Sequence, residues 1–234
     1  MGARRWTAAL AVAGVLFTSC ASGQSLSPAQ RAAVYQAYFR VIAGGDRNLH
    51  SYARDANGSR GYDIFLPTDW VVASHAPFAR RADEQLHVGY CASGAIVLAT
   101  AVSSRAYLAG GGSTIFTDTA FRVDEVLKGA PDTVHAGARI EVVRIGGAVT
   151  DAGETLRVGV EDRPDFQAGG SYLLLLDRPG PALSVWHATD WITVEAVGGR
   201  LRPSSTPAFG LQPGESVQDL RARLDWLASR YACP

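Results

Sequence analysis

The chain carries no surplus of either charge: 22 Lys and Arg offset 22 Asp and Glu. A nucleic-acid binder leaves a basic stripe or tail in its sequence, and none is present, so no nucleic acid is expected as a partner. Metal-site signatures are missing as well. His50, His75, His87, His135 and His187 form no H-E-x-x-H, and there is no C-x-x-C, so neither a metal nor another cofactor is expected. Beyond the N-terminus no apolar run is long enough to cross a bilayer. Cysteine is scarce, limited to Cys20, Cys91 and Cys233. What the composition does hold is apolar residues, 47% of the chain, which supplies a core and excludes wholesale disorder.

The start of the chain reads as an export signal. "MGARRW" supplies a positive end through Arg4 and Arg5, and "TAALAVAGVLF" a short apolar stretch. Two cleavages are open. Ala21-Ser22-Gly23 is a small-x-small site that leaves Gln24 first. "LFTSC" instead resembles the lipobox of bacterial lipoproteins, with Cys20 as lipid acceptor and Phe17 where leucine is usual. In that case the membrane is reached only through lipid on Cys20. Either cleavage leaves Cys91 and Cys233 as a pair, which an oxidising compartment is expected to turn into one disulfide. Two independent buried thiols are the alternative.

The mature chain is expected to open with a helix. Ser27 at the N-cap, Pro28 at N1 and Gln30 at N3 form a capping box. Val34, Tyr38, Val41 and Ile42 make an apolar stripe, and Gly44-Gly45 ends it. Residues 46–90 read as a long, turn-rich connection with one or two short elements, among them a strand-like piece over 70–73. From Cys91 the pattern is β. "GAIVLATAVSS", "TIFTDTAFRVDEVLKG", "ARIEVVRIGG", "TLRVGVED" and "GSYLLLLDRPG" read as the main strands, the last apolar on both faces. "RAYLAGGGST" reads as a connection, and "LSVWHATDW", "ITVEAV" and "GRLRP" as shorter strands. The close, "GESVQDLRARLDWLASRYACP", puts Val217, Leu220, Leu224, Leu227 and Tyr231 on one helical face.

Two strands change phase. In the second, Ile115, Thr117, Thr119, Phe121 and Val123 share a face, and Glu125 is due next, yet the apolar role passes to Val126. A β-bulge at or next to Asp124-Glu125 is expected. In the third, Ile140 and Val142 give way to Val143 and Ile145. Strands that switch faces belong to a sheet curling closed. The expected fold is therefore mainly β: a small closed OB-like β-barrel with an N-terminal helix and a C-terminal amphipathic helix. The expected division is a signal peptide over 1–23, or a lipoprotein signal over 1–19. An N-terminal helix and irregular extension follow over 24–89, then the barrel with its C-terminal helix over 90–234.

"FRVDEVLKG", "RIEVVR" and "FQAGGSYLLLLD" together resemble the netrin-like module, which includes a domain of the tissue inhibitors of metalloproteinases. Cys91 precedes the first strand, Lys128-Gly129 ends the second, and Gly169, Tyr172, Leu173 and Leu174 match the last motif. The resemblance implies an OB-like barrel and a habit of binding proteins. The animal inhibitors act through the free amine of an N-terminal Cys-x-Cys, which has no counterpart here, so their inhibitory apparatus does not carry over.

No catalytic set assembles from the sequence. His187 and Asp190 are an odd number of residues apart, which puts them on opposite faces of a strand and makes His187 a surface residue. By the same rule Trp186 and Trp191 face opposite ways, leaving one available for contact unless both reach the core. Cys91 lies near His87 and Ser93, but a disulfide explains it more simply than a thiol nucleophile. The glycine-rich "LAGGGST" and "GGAVTDAG" read as hairpin tips, since neither leads from a strand into a helix as a phosphate loop must. Asp151, Glu154, Asp162 and Asp165 form a loose acidic cluster without the spacing of a calcium loop. The expected function is an exported, non-catalytic binding protein of the bacterial envelope, its partner another protein or an envelope component. A hydrolase with a site between 46–90 and the barrel is the alternative, signalled by His75 or His87 converging on Cys91, Ser93 or a carboxylate. A structural envelope protein is the third reading.

Overall fold

The computed structural model describes residues 27–38, 48–64, 82–129, 132–160, 163–178, 185–195, 198–202, 210–212 and 214–233. The export signal with Cys20, the segment 70–73, Val41, Ile42, His75 and Asp162 lie outside them.

The barrel is built from β2 (Ala95–Leu108), β3 (Ile115–Lys128), β4 (Arg139–Ile145), β7 (Ser171–Asp177) and β8 (Trp186–Val194). They close in the order β2-β3-β4-β8-β7, with β7 returning to β2. β4–β8 is the parallel pairing in this ring. That is the Greek-key arrangement of an OB-like barrel. A second sheet holds β1 (Arg60–Ile64), β6 (Glu154–Val160) and β5 (Gly147–Asp151), with β1 parallel to β6. The strand "TLRVGVED" therefore leaves the barrel. The chain turns out of the ring at Gly146-Gly147, where Gly147 has φ 134° and a Cβ would stand 2.2 Å from Thr117 Oγ1. The fifth barrel strand is β8, in which "WHATDW" and "ITV" run on without a break.

Among the described residues three helices cover the strands: α1 (Pro28–Tyr38), α2 (Ala82–Ala92) and α3 (Val217–Arg230). The capping box of α1 forms as its residues require. Ser27 Oγ accepts from Gln30 N at 3.3 Å, and Gln30 Oε1 accepts from Ser27 N at 3.0 Å. Ser216 caps α3 by accepting from Asp219 N. Among the side chains of α1 that are described, Ala32 and Tyr35 are buried and Val34 is half-buried; Tyr38 lies outside them. Ala32 and Tyr35 sit beside the stripe expected from Val34 and Tyr38.

The bulge expected in β3 is present. Leu98 pairs with Glu125 and Ala99 with Val123, so Asp124 is the extra residue. A second bulge leaves out Leu127, and a third leaves out Val102 on β2. Phe121, Val123 and Val126 consequently all face the barrel interior, with Val126 half-buried at its rim. In β4 the phase change has another cause. Its pairing with β3 is continuous from Arg139 to Ile145. Ile140 and Val142 fill the barrel, while Val143 and Ile145 pack with Tyr35 and Phe116 beneath α1. The strand is simply covered on both sides. β7 is covered likewise: Leu174 and Leu176 point in, and Leu173 and Leu175 lie under α2 and α3.

Residues 46–90 hold more structure than their polarity predicts. A 3-10 turn (Leu49–Ser51), β1 and most of α2 fall there. Arg105–Leu108, read as connection, continues β2.

Candidate functional site

Cys91 and Cys233 are joined, with Cα atoms 5.3 Å apart and a sequence separation of 142. Cys91 sits on the last turn of α2 and Cys233 just beyond α3, so the bond staples the two helices that pack together over β7. His87, one turn before Cys91, places Nε2 3.4 Å from Cys91 Sγ and 3.3 Å from the Tyr231 carbonyl. The convergence that would signal a hydrolase thus exists in part. Its sulfur is bonded to Cys233 and offers no thiolate nucleophile. Ser93 donates its hydroxyl to Gly89 O at 2.7 Å, in the ordinary way of a serine at a helix end.

The alternation rule fails in β8 because a bulge intervenes. Leu175 pairs with Asp190 and Leu176 with Ala188, leaving Thr189 unpaired. Trp186 and Trp191 therefore both face the barrel core. His187 and Asp190 both take outward registers, opposite Asp177 and Leu175. His187 is no free surface group: burial pushes its pKa down to about 4, so it is neutral. Asp190 is buried and receives Arg163 in a fork, Nε at 2.6 Å and Nη2 at 3.2 Å. Asp190 also accepts from Trp191 N at 2.8 Å. Its carboxylate is committed to structure.

The acidic cluster disperses into separate ion pairs. Asp151 and Glu154 hold the two ring nitrogens of His50 at 2.9 and 3.0 Å, and Glu154 also takes Arg54 and Arg60. Asp165 takes Arg144, a buried arginine whose guanidinium lies over Phe166 and Trp191 inside the barrel. On the outer face of the neighbouring strand β3, Asp118 is buried and accepts from Tyr35 Oη at 2.6 Å and Arg31 Nη1 at 2.7 Å. The same Arg31 nitrogen reaches Glu141 at 2.7 Å.

Lys128, Gly129 and Tyr172 have mechanical roles. Lys128 Nζ donates to the carbonyls of Tyr90 and Ser93, the open end of α2, where a cation also meets the negative pole of the helix. Gly129 has φ 149°, and a Cβ there would come within 2.7 Å of Val134. Tyr172 Oη accepts from Gln167 N and donates to Asp165 O, closing the loop before β7 over Phe121 and Phe166.

One concavity combines charge with an aromatic floor. β4 pairs with β3 along its full length, but with β8 only at Val142 and Val143. Where β4 and β8 part, a cavity of about 490 Å³ opens, lined by Ala120, Thr133, Arg139, Ile140, Glu141, Arg178 and Trp186. Arg139 and Arg178 are exposed at its rim, and the Arg178 guanidinium lies 4.7 Å from the centre of the Trp186 ring. Sequence reasoning singled out Trp186 but not the arginines, because nothing local marks where two paired strands will diverge.

The fold and this seam define a small closed OB-like barrel with a lateral groove. No protein-family profile matches the chain, and no curated protein matches it either.

Proposed function

We propose that the protein is an exported, non-catalytic binding module of the bacterial envelope, with its ligand seated in the seam between β4 and β8. The groove carries the reading: two exposed arginines flank a buried tryptophan at a break in the barrel wall. Paired guanidinium groups favour a carboxylate- or phosphate-bearing partner, and the ring edge adds apolar contact. A protein segment with an acidic side chain fits this chemistry, as does an anionic envelope component. The resemblance to netrin-like modules supports protein binding. The N-terminal signal anatomy and the Cys91–Cys233 bond support an oxidising, extracytoplasmic location. Among the described residues no helix is long and apolar enough to cross a membrane, and lipid on Cys20 would supply an anchor.

The test is purification from the native envelope fraction with wild type and an Arg139→Glu/Arg178→Glu variant side by side. A partner held by wild type and lost by the variant is expected. Equal recovery of the same partner by both would remove the seam as its site. Processing is checked by N-terminal sequencing. Lipidation predicts a blocked terminus, and Cys20→Ser should then release soluble protein or stall processing. A readable terminus at Gln24 would rule out the anchor, and Gly23→Leu should then be the change that blocks cleavage.

A further inference from the structure

The stapled end of the molecule holds a second arrangement besides the disulfide. His87 and Cys91 lie one helical turn apart on the same face of α2, the spacing that lets two side chains share one metal ion. Cys233 arrives from beyond α3 to the same place. The His87 ring nitrogen and the two sulfurs all lie within 4.8 Å of one another. We propose that, when its disulfide is reduced, the protein binds one divalent zinc-like cation through His87, Cys91 and Cys233.

The geometry suits the ion. Zinc takes sulfur at about 2.3 Å and imidazole nitrogen at about 2.0–2.1 Å, so tetrahedral N and S ligands stand roughly 3.5 Å apart. His87 Nε2 and Cys91 Sγ are already separated by 3.4 Å. Cys233 has to shift, and His87 Nε2 has to give up its contact with the Tyr231 carbonyl, its ring proton then residing on Nδ1. The Cys233 sulfur must retreat from bonding distance to about 3.7 Å from the other. Cys233 is exposed and follows the helix rather than belonging to it, so no packed side chain opposes that movement. His87 and Cys91 are part-exposed, which gives the reductant and the ion a route in. The fourth position is left for water, as in open two-cysteine, one-histidine sites.

The electron balance is simple. A dithiol gives up two electrons and two protons and becomes a disulfide, while the Cys91–Cys233 bond opens to two thiols. The cation then displaces both thiol protons and binds the two thiolates and the neutral imidazole. Oxidation reverses the sequence and expels the ion. The two states exclude each other, because a sulfur bonded to sulfur has no thiolate to offer. The sequence reading missed this site for a plain reason. Cys233 is far from the H-x-x-x-C turn in the chain, and only the packing of α2 against α3 brings them together.

The experiment uses the mature chain, reduced with a small dithiol, freed of it under argon, and titrated with Co²⁺. Reduced wild type should take one equivalent and develop a thiolate-to-cobalt charge-transfer band that Zn²⁺ abolishes. Oxidised wild type should show no band. His87→Ala keeps a good helix former at a part-exposed position and leaves both cysteines in place. It should weaken Co²⁺ binding at least tenfold, the scale on which even supporting residues of metal sites act. A reduced wild type without the band would overturn the proposal. So would an oxidised form that binds equally, or a His87→Ala chain that binds as tightly as wild type.

Discussion

At the scale of single residues, the structure is held by charges in unlike settings. Asp118 is buried between Tyr35 and Arg31 and anchors α1 to the barrel. Asp118→Ala leaves both donors facing an empty place. We expect a loss of about 2–3 kcal/mol in urea unfolding, with α1 the first element to become protease-sensitive. His50 bridges Asp151 and Glu154 in the open. Its hydrogen bonds to Glu154 and Asp151 raise its pKa. The hydrogen bond from His50 is likewise the leading cause that holds Glu154 below the ordinary range. The signs give a window. The histidine's contribution is full below its unfolded value of about 6.5 and is lost as pH rises through the higher folded value. The glutamate's contribution is present above about 4.3 and is lost as pH falls through its lower folded value. The pair thus supports the second sheet most between these limits. His50→Ala should flatten the alkaline limb of a stability–pH curve, and an unchanged limb would show that the bridge does nothing.

At the scale of elements, β3 shows what a bulge accomplishes. Asp124 is spent as the extra residue so that Val126, not Glu125, turns toward the core. Val126→Asp should cost about 2 kcal/mol, less than at a fully buried position because Val126 stays half-exposed at the rim. Deleting Asp124 should cost less, since it removes the extra residue while Glu125 stays opposite Leu98 and Val126 opposite Val97. Thermal melts of the two variants give the order. This bulge was legible because an apolar face handed over to its opposite within one strand. The bulge at Thr189 was not, because Trp186, Ala188, Trp191 and Ile192 are apolar or small on either reading. β1 was missed for the opposite reason: in "RGYDI" only Tyr62 and Ile64 are apolar, and its pairing is with β6, distant in sequence. Helix α1 was legible from its cap, whereas the face it buries was not. That face carries an arginine and a tyrosine hydroxyl whose partners lie on other strands.

At the scale of the whole molecule, one covalent link joins α2 to the end of α3. Closing a loop of 142 residues is worth at most about 5 kcal/mol in chain entropy, less whatever native strain returns. Cys91→Ser with Cys233→Ser should lower stability by up to that amount and leave the barrel folded. Its hydrophobic interior of Phe121, Phe166, Tyr172, Trp186 and Trp191 does not depend on the bond. The check is denaturant unfolding followed by tryptophan fluorescence, with mass spectrometry of the unreduced wild type showing two fewer protons than the reduced form.

The parallel pairing of β1 with β6 has a consequence in time. Arg60 meets Glu154 across 94 residues, and Arg31 meets Glu141 across 110. The segments synthesised first therefore have no partner until most of the chain has followed them. The β2–β3 hairpin, whose strands are neighbours in sequence, can form early. Residues ahead of it must wait unpaired. Contacts this distant belong to the slow end of two-state folding, milliseconds to seconds. An emerging chain is then built from its middle outward, and α1 and β1 stay open to binding by a chaperone until β4 and β6 have followed them.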